Sequence, residues 1–288
     1  MDDRIRRQIA ALDPVKDHQR IVHLSYVYEF PWDTTRALEL ALFRTFAVPS
    51  IGALLDATGE FGSYAQKRYD DTTILIAEFC QNGYDSVRGR QAIRTMNRIH
   101  GHFSIAQEDY LYVLSTFICE PPRWMQRFAW RPYSRTELLA NFYFWREVGH
   151  LMNIPDIPDT YEAMEAFNVA FERTHFRFTE ASARVARATR ELFARQRLPG
   201  PLARFGFPAL HALLDEPLLD AFGFPHPSRL ERAVLEGVLR ARAMVVKWGP
   251  RKRNNPLVQE QDWPTYPGGY EIEKIGPANR SMDTTRSR

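Results

Sequence analysis

Ser86-Val-Arg-Gly-Arg-Gln-Ala-Ile-Arg-Thr-Met-Asn-Arg-Ile-His-Gly-His-Phe-Ser-Ile105 carries two interleaved rows at helical spacing. Ile93, Met96, Ile99 and Phe103 recur every three or four residues with His100 among them, whereas Arg90, Arg94 and Arg98 form a separate row at intervals of four. The period predicts an amphipathic helix whose buried face carries His100. Upstream, Ser63 to Gln81 repeats the pattern. Ala65, Arg68, Thr72, Leu75 or Ile76, and Phe79 share one side, so Arg68 and Thr72 sit one turn apart on an inward face.

The rest of the chain reads the same way. Asp33 opens a helix to about Val48 that Pro49 stops, Ser50 to Thr58 is short, Gly83 closes the Ser63–Gln81 helix, and Glu108 to Ile118 is ended by Pro121-Pro122. Ser134 with Glu137, Asp159 with Glu162, and Ser228 with Glu231 match capping boxes, each ahead of an amphipathic run. The runs end near Met152, near Leu198 and at Trp248. Prolines divide Gly200 to Ser228 into helices of one or two turns. The expected fold is all-α: a single multi-helix domain over 1–248 with a Pro/Gly-rich tail over 249–288. Within the tail, Trp263 to Ile275 is expected to drape on the core and the last dozen residues to be disordered.

Composition narrows the class of function. The 288 residues are 44% hydrophobic and 13% aromatic, enough for a sizeable core. The 38 basic and 35 acidic side chains are interleaved, for a net charge of +3, which gives no nucleic-acid footprint. The Arg251-Lys-Arg253 cluster reads as a solvated helix exit. Cys80 and Cys119, each in an apolar segment, make neither a disulfide framework nor a zinc site. No apolar stretch has the length of a signal peptide core or a spanning helix, so the expectation is a cytoplasmic protein with no transmembrane segment, peripheral membrane contact staying open. No Gly-x-Ser-x-Gly elbow or phosphate-cradling glycine loop is present.

The chemistry concentrates on the inward polar residues. A core histidine is ordinarily a hydrogen-bonded structural residue. An inward arginine cannot shed its charge and needs an anion beside it. Asp70, Asp71 and Glu78 are near in sequence and would serve as ion-pair partners. A haem, with propionates for the arginine and iron for the histidine, would serve both residues at once.

The motifs and their order resemble the haem oxygenase family typified by latex-clearing protein (rubber oxygenase) and MpaB. Arg68-Tyr-Asp-Asp-Thr72 resembles the family's arginine-x-x-x-threonine segment, and Arg98-Ile-His100-Gly its histidine-bearing helix. Trp145-Arg-Glu-Val-Gly-His-Leu-Met-Asn-Ile-Pro-Asp-Ile-Pro158, followed by Tyr161 to Ala181, reads like the MpaB-type subgroup. The resemblance covers about residues 35–195, with a weaker echo from Tyr266-Pro-Gly-Gly-Tyr270 to Gly276. It implies a globin-like helical core, haem b as cofactor, His100 as the iron ligand and catalytic centre, and Arg68 and Thr72 lining the cofactor site. It also implies an oxygenase that uses dioxygen or peroxide on a lipophilic small molecule such as an isoprenoid. Latex-clearing protein has a lysine just before the threonine where this chain has Asp71, so a lysine-capped resting state is not expected. No motif identifies a distal base. Aromatic residues of Asn141 to Trp145 are candidates for the pocket wall.

Two other classes fit parts of the sequence. Glu147-Val-Gly-His150 and Glu172-Arg-Thr-His175 are both Glu-x-x-His on predicted helices, half the ligand set of a carboxylate-bridged di-iron oxygenase. Two further glutamates would be required, with Glu78, Glu108 and Glu162 as candidates. A non-enzymatic helical carrier of haem or lipid is the third class.

Overall fold

The computed structural model describes residues 4–198, 200–249 and 263–277. Within them the chain is all helical, with no strand and one isolated bridge between Trp263 and Tyr266. The order is α1 (Arg4–Ala10), α2 (His18–His23) continued by a π-helical turn (Leu24–Glu29), α3 (Pro31–Thr45), α4 (Pro49–Ala57), α5 (Glu60–Ser63), α6 (Ala65–Asn82) and α7 (Val87–His100). There follow α8 (Gln107–Phe128), α9 (Arg135–Leu151), α10 (Tyr161–His175), α11 (Glu180–Arg197), α12 (Phe207–Leu213), α13 (Glu216–Phe222) and α14 (Arg229–Trp248). The Arg251-Lys-Arg253 cluster and, apart from Pro277, the last dozen residues expected to be disordered lie outside the described residues.

The main core lies between α6, α7, α8 and α9, where Ile74, Phe79, Ile93, Ile118, Phe144 and Trp145 pack together. Residues 263–277 form a strap across it, and Trp263, Ile272 and Ile275 are buried in the same cluster. A second cluster joins the end of α3 to α11 and α13, and a third joins α3 and the end of α8 to α14.

Four sequence expectations are corrected. Pro121 and Pro122 do not end their helix; α8 runs through both to Phe128. A proline at 122 removes the N–H that would bond the Ile118 carbonyl. Asn141 of α9 supplies the missing donor, its Nδ2 bonding Ile118 O at 3.0 Å, and burial of Phe117, Ile118, Trp124 and Met125 holds the helix on course. The run after Asp159 is two helices, because the chain extends at Phe176 before Thr179 caps α11. The cap of α10 is Thr160, not Asp159: its side chain accepts from the Ala163 N–H. The helix begun by Ser86 stops at His100 rather than Ile105, and Gly101 to Phe103 turn back through a Phe103 N–H to His100 carbonyl bond of 3.0 Å.

Close approaches and one turn position the cavity walls. A Cβ on Gly52 of α4 would stand 2.2 Å from Ser182 Oγ of α11, so only glycine lets those helices meet. α9 ends in a Schellman motif, with Asn153 left-handed at φ 58°, its N–H on His150 O at 2.9 Å and the Ile154 N–H on Gly149 O at 3.0 Å. Asparagine tolerates that conformation better than most side chains. The turn tucks Ile154 into the core.

Candidate active site

α6, α7 and α8 enclose a cavity whose far walls come from α3, α4, α9 and α11 and whose rim includes Gly276 and Pro277 of the strap. The lining is mostly apolar, with Leu75, Met96, Ile99, Leu114, Trp145 and Val148 among its members. Arg68, Thr72 and His100 all line it. Ile93 and Ile99 are buried on the inner face of α7 while Arg90, Arg94 and Arg98 are exposed, as the periodicity predicts.

His100 closes α7 and turns its ring into the cavity. Its Nδ1 is buried and has no hydrogen-bond partner among the described residues. Tyr110 of α8 meets the ring edge-on, centroid to centroid at 5.7 Å. Burial, reinforced by the nearby charge of Arg68, depresses the imidazole to about 4, so the ring is neutral at physiological pH. A neutral imidazole keeps the lone pair that a metal requires.

Arg68 is the second polar group of the cavity. Its Nη1 donates to Thr72 Oγ1 at 2.8 Å, and that hydroxyl donates to the Arg68 carbonyl at 3.0 Å. Burial lowers the guanidinium's proton affinity more than the more distant Asp71 and Glu60 restore it. The carboxylates that sequence proximity offers to Arg68 are engaged elsewhere. Asp70 accepts from Gln66 at 2.8 Å and from the Thr265 hydroxyl at 2.6 Å. Asp71 accepts from Lys67 at 2.7 Å and from the Tyr266 phenol at 2.5 Å. Glu78 takes Arg88, Asn82 and the Tyr270 phenol. Among the described residues no carboxylate pairs with Arg68.

Several cavity residues escaped sequence reasoning. Tyr110 lies within the predicted Glu108–Ile118 helix but nothing in that pattern marks it as facing His100. Asp109, buried where α8 meets Ser50 and His175, has its carboxyl pushed up mainly by burial and also lines the cavity. Gly276 and Pro277 reach the rim because Lys67 Nζ binds the Gly276 carbonyl at 2.5 Å. Of the aromatic run at 141–145, Trp145 is at the wall; Phe142 and Phe144 are core.

The two Glu-x-x-His motifs do not converge. Glu172 is held by both nitrogens of an Arg44 fork, at 2.9 and 2.5 Å, and by the Tyr112 phenol at 3.1 Å. His175 stacks on Phe171 at 3.9 Å and bonds the Phe171 carbonyl, and His150 is exposed. Among the described residues no three His, Cys, Asp or Glu side chains are grouped to hold a metal ion.

Comparison with known proteins agrees with the motif order. The chain is 35% identical over 132 residues to the ER-bound oxygenase mpaB of Penicillium brevicompactum, covering 44% of this chain and 34% of that protein. The same identity and length relate it to ER-bound oxygenase mpaB' of that fungus, 31% of which is covered, and to ER-bound oxygenase mpaB of Penicillium roqueforti, 44% of which is covered. The match thus spans 31 to 44% of the length of each relative. The model of the family described as ER-bound oxygenase mpaB/B'/Rubber oxygenase, catalytic domain, matches residues 32–248, and the chain belongs to that family.

Proposed function

We propose that this chain is a haem b-dependent oxygenase acting on an apolar substrate, with His100 as the iron ligand and Arg68 and Thr72 at the propionate side. The observation that carries it is that a neutral imidazole and a buried guanidinium that no carboxylate pairs with among the described residues line one apolar cavity. A buried guanidinium without a paired anion is costly in a protein interior, and a dianionic, iron-bearing ligand would neutralise it while using the neutral imidazole as a ligand.

When bound, haem b supplies the redox-active iron at which dioxygen or peroxide is activated. The chain's own contribution is positional. His100 lines the cavity and is kept neutral by burial and by the field of Arg68, so its ring retains a lone pair at physiological pH. Arg68 offers a planar fork matched to a carboxylate, and its bond to Thr72 fixes the fork against α6. The hydrocarbon walls exclude water and favour an apolar molecule, in keeping with an isoprenoid or lipid-like substrate class. Asp71, tied to Lys67 and Tyr266, offers no amine toward the iron.

The test is to load the protein with haem, reduce it, admit isotopically labelled oxygen, and screen prenylated and polyunsaturated compounds for labelled products. Label in a product supports the proposal. Reversible oxygen or lipid binding with no product from oxygen or peroxide makes the protein a carrier instead.

A further inference from the structure

α14 is unlike the other helices in what it leaves uncovered. Six of the fourteen exposed large apolar side chains among the described residues lie on it: Leu230, Val234, Val238, Met244, Val245 and Trp248, each between 53 and 73% exposed. At helical pitch they fall on one stripe about 30 Å long, with Gly237 and Ala241 at its centre. The opposite side of the same helix is fixed to the domain. Leu235, Leu239, Ala243 and Val246 pack on Trp124, Phe128 and Trp130, and Arg242 binds Asp33 at 2.9 Å. The stripe is therefore presented outward on a rigid support.

Its charged border identifies the occupant. Arg229, Arg240 and Lys247 run along one edge of the stripe, with Arg127 of α8 reaching the same side. The one carboxylate there, Glu236, is shared between Arg127 at 3.1 Å and Arg240 at 3.4 Å. On the other edge, Glu231 is used at the helix start to cap Ser228. A second copy docking antiparallel would set the basic edge against itself, and one docking parallel would meet Arg242 and a spent glutamate. The surface complements an extended anion layer, not itself. An apolar face with a terminal tryptophan and a basic margin has the composition of a helix lying in a membrane interface.

We propose that α14 docks the domain on an anionic lipid bilayer, with the Leu230-to-Trp248 stripe at the boundary of headgroups and acyl chains and Arg229, Arg240 and Lys247 against the phosphates. Flotation of the full chain with vesicles of phosphatidylcholine, alone or mixed with phosphatidylserine, tests it. The chain should bind the mixed vesicles, release as salt is raised, and bind phosphatidylcholine far less. The double variant Val234→Glu/Val245→Glu alters exposed positions only and should lose binding while keeping its helix content by circular dichroism. Arg240→Gln/Lys247→Gln should weaken binding to mixed vesicles on the order of twentyfold, about fivefold per charge. Failure of the wild-type chain to bind, or undiminished binding of the Val234/Val245 variant, overturns the proposal. So does a dimer in light scattering that this variant abolishes, without vesicle binding by the wild type.

Discussion

Arg68 donates to Thr72 across one turn of α6, at 2.8 Å, and that hydroxyl is its only hydrogen-bond acceptor among the described residues. A guanidinium that lines an apolar cavity with a single acceptor among the described residues has donors left for an anion brought from outside.

Replacing Arg68 with Ala should therefore lower haem occupancy, by a charged hydrogen bond worth about 1.5–3 kcal/mol, or roughly ten- to a hundredfold in affinity. Arg68→Lys should rescue only part of this, because a point charge replaces the planar fork. Thr72→Val should be milder. Haem titration followed by absorbance checks all three; unchanged affinity in Arg68→Ala with reduced helix content would make the arginine structural.

The strap predicts a local effect. The Tyr266 phenol donates to Asp71 and the Tyr270 phenol to Glu78, each at 2.5 Å. Tyr266→Phe and Tyr270→Phe should each cost about 1.5 kcal/mol, the low end for a bond to a charged group, since both phenols keep some solvent contact. Hydrogen exchange should show faster exchange confined to 263–277 and the facing turns of α6.

How the sequence relates to this site is clearest at the same residues. The stripes on α6 and α7 are legible because helical period depends on near neighbours, and they put Arg68, Thr72 and His100 on inward faces, where all three line one cavity. That no carboxylate among the described residues pairs with Arg68 is not legible: Thr265, Tyr266 and Tyr270, which occupy Asp70, Asp71 and Glu78, lie more than 190 residues away. The expected stop at Pro121-Pro122 fails for a similar reason, since the donor that lets α8 continue belongs to Asn141 on another helix. Local rules read local structure, and tertiary compensation overrides them.

Arg44 should be a stability determinant apart from the cavity chemistry. It binds Glu172 twice, Asp215 at 2.7 Å and lies 3.6 Å from Glu120, all near the α3–α8–α10 junction. Arg44→Met leaves Glu172 with the Tyr112 phenol and Glu120 with Arg123 alone, and, with Glu172 losing its counter-charge, should destabilise by about 3 kcal/mol in urea unfolding. A loss under 1 kcal/mol would show that the carboxylates find water or other partners.

Acid should weaken the haem-free fold through two histidines. Burial holds both His100 and His211 near pKa 4, against an ordinary value of 6.5, with Arg68 and Arg190 adding to the effect. The unfolded chain then binds more protons between those values, so this contribution is complete above about pH 6.5 and is lost as pH falls toward 4. His100→Leu should flatten the dependence of unfolding free energy on pH in that window. An unchanged slope would mean His100 is protonated as readily in the folded protein as in the unfolded chain.

The central claim is that His100 ligates haem iron, and the most direct measurement is the absorption spectrum of the haem-loaded protein beside that of His100→Ala. The wild type should bind one haem per chain with the spectrum of an imidazole-ligated iron. His100→Ala should lose that ligation, and added imidazole should restore it. Full haem content with an unchanged spectrum in His100→Ala would contradict the account.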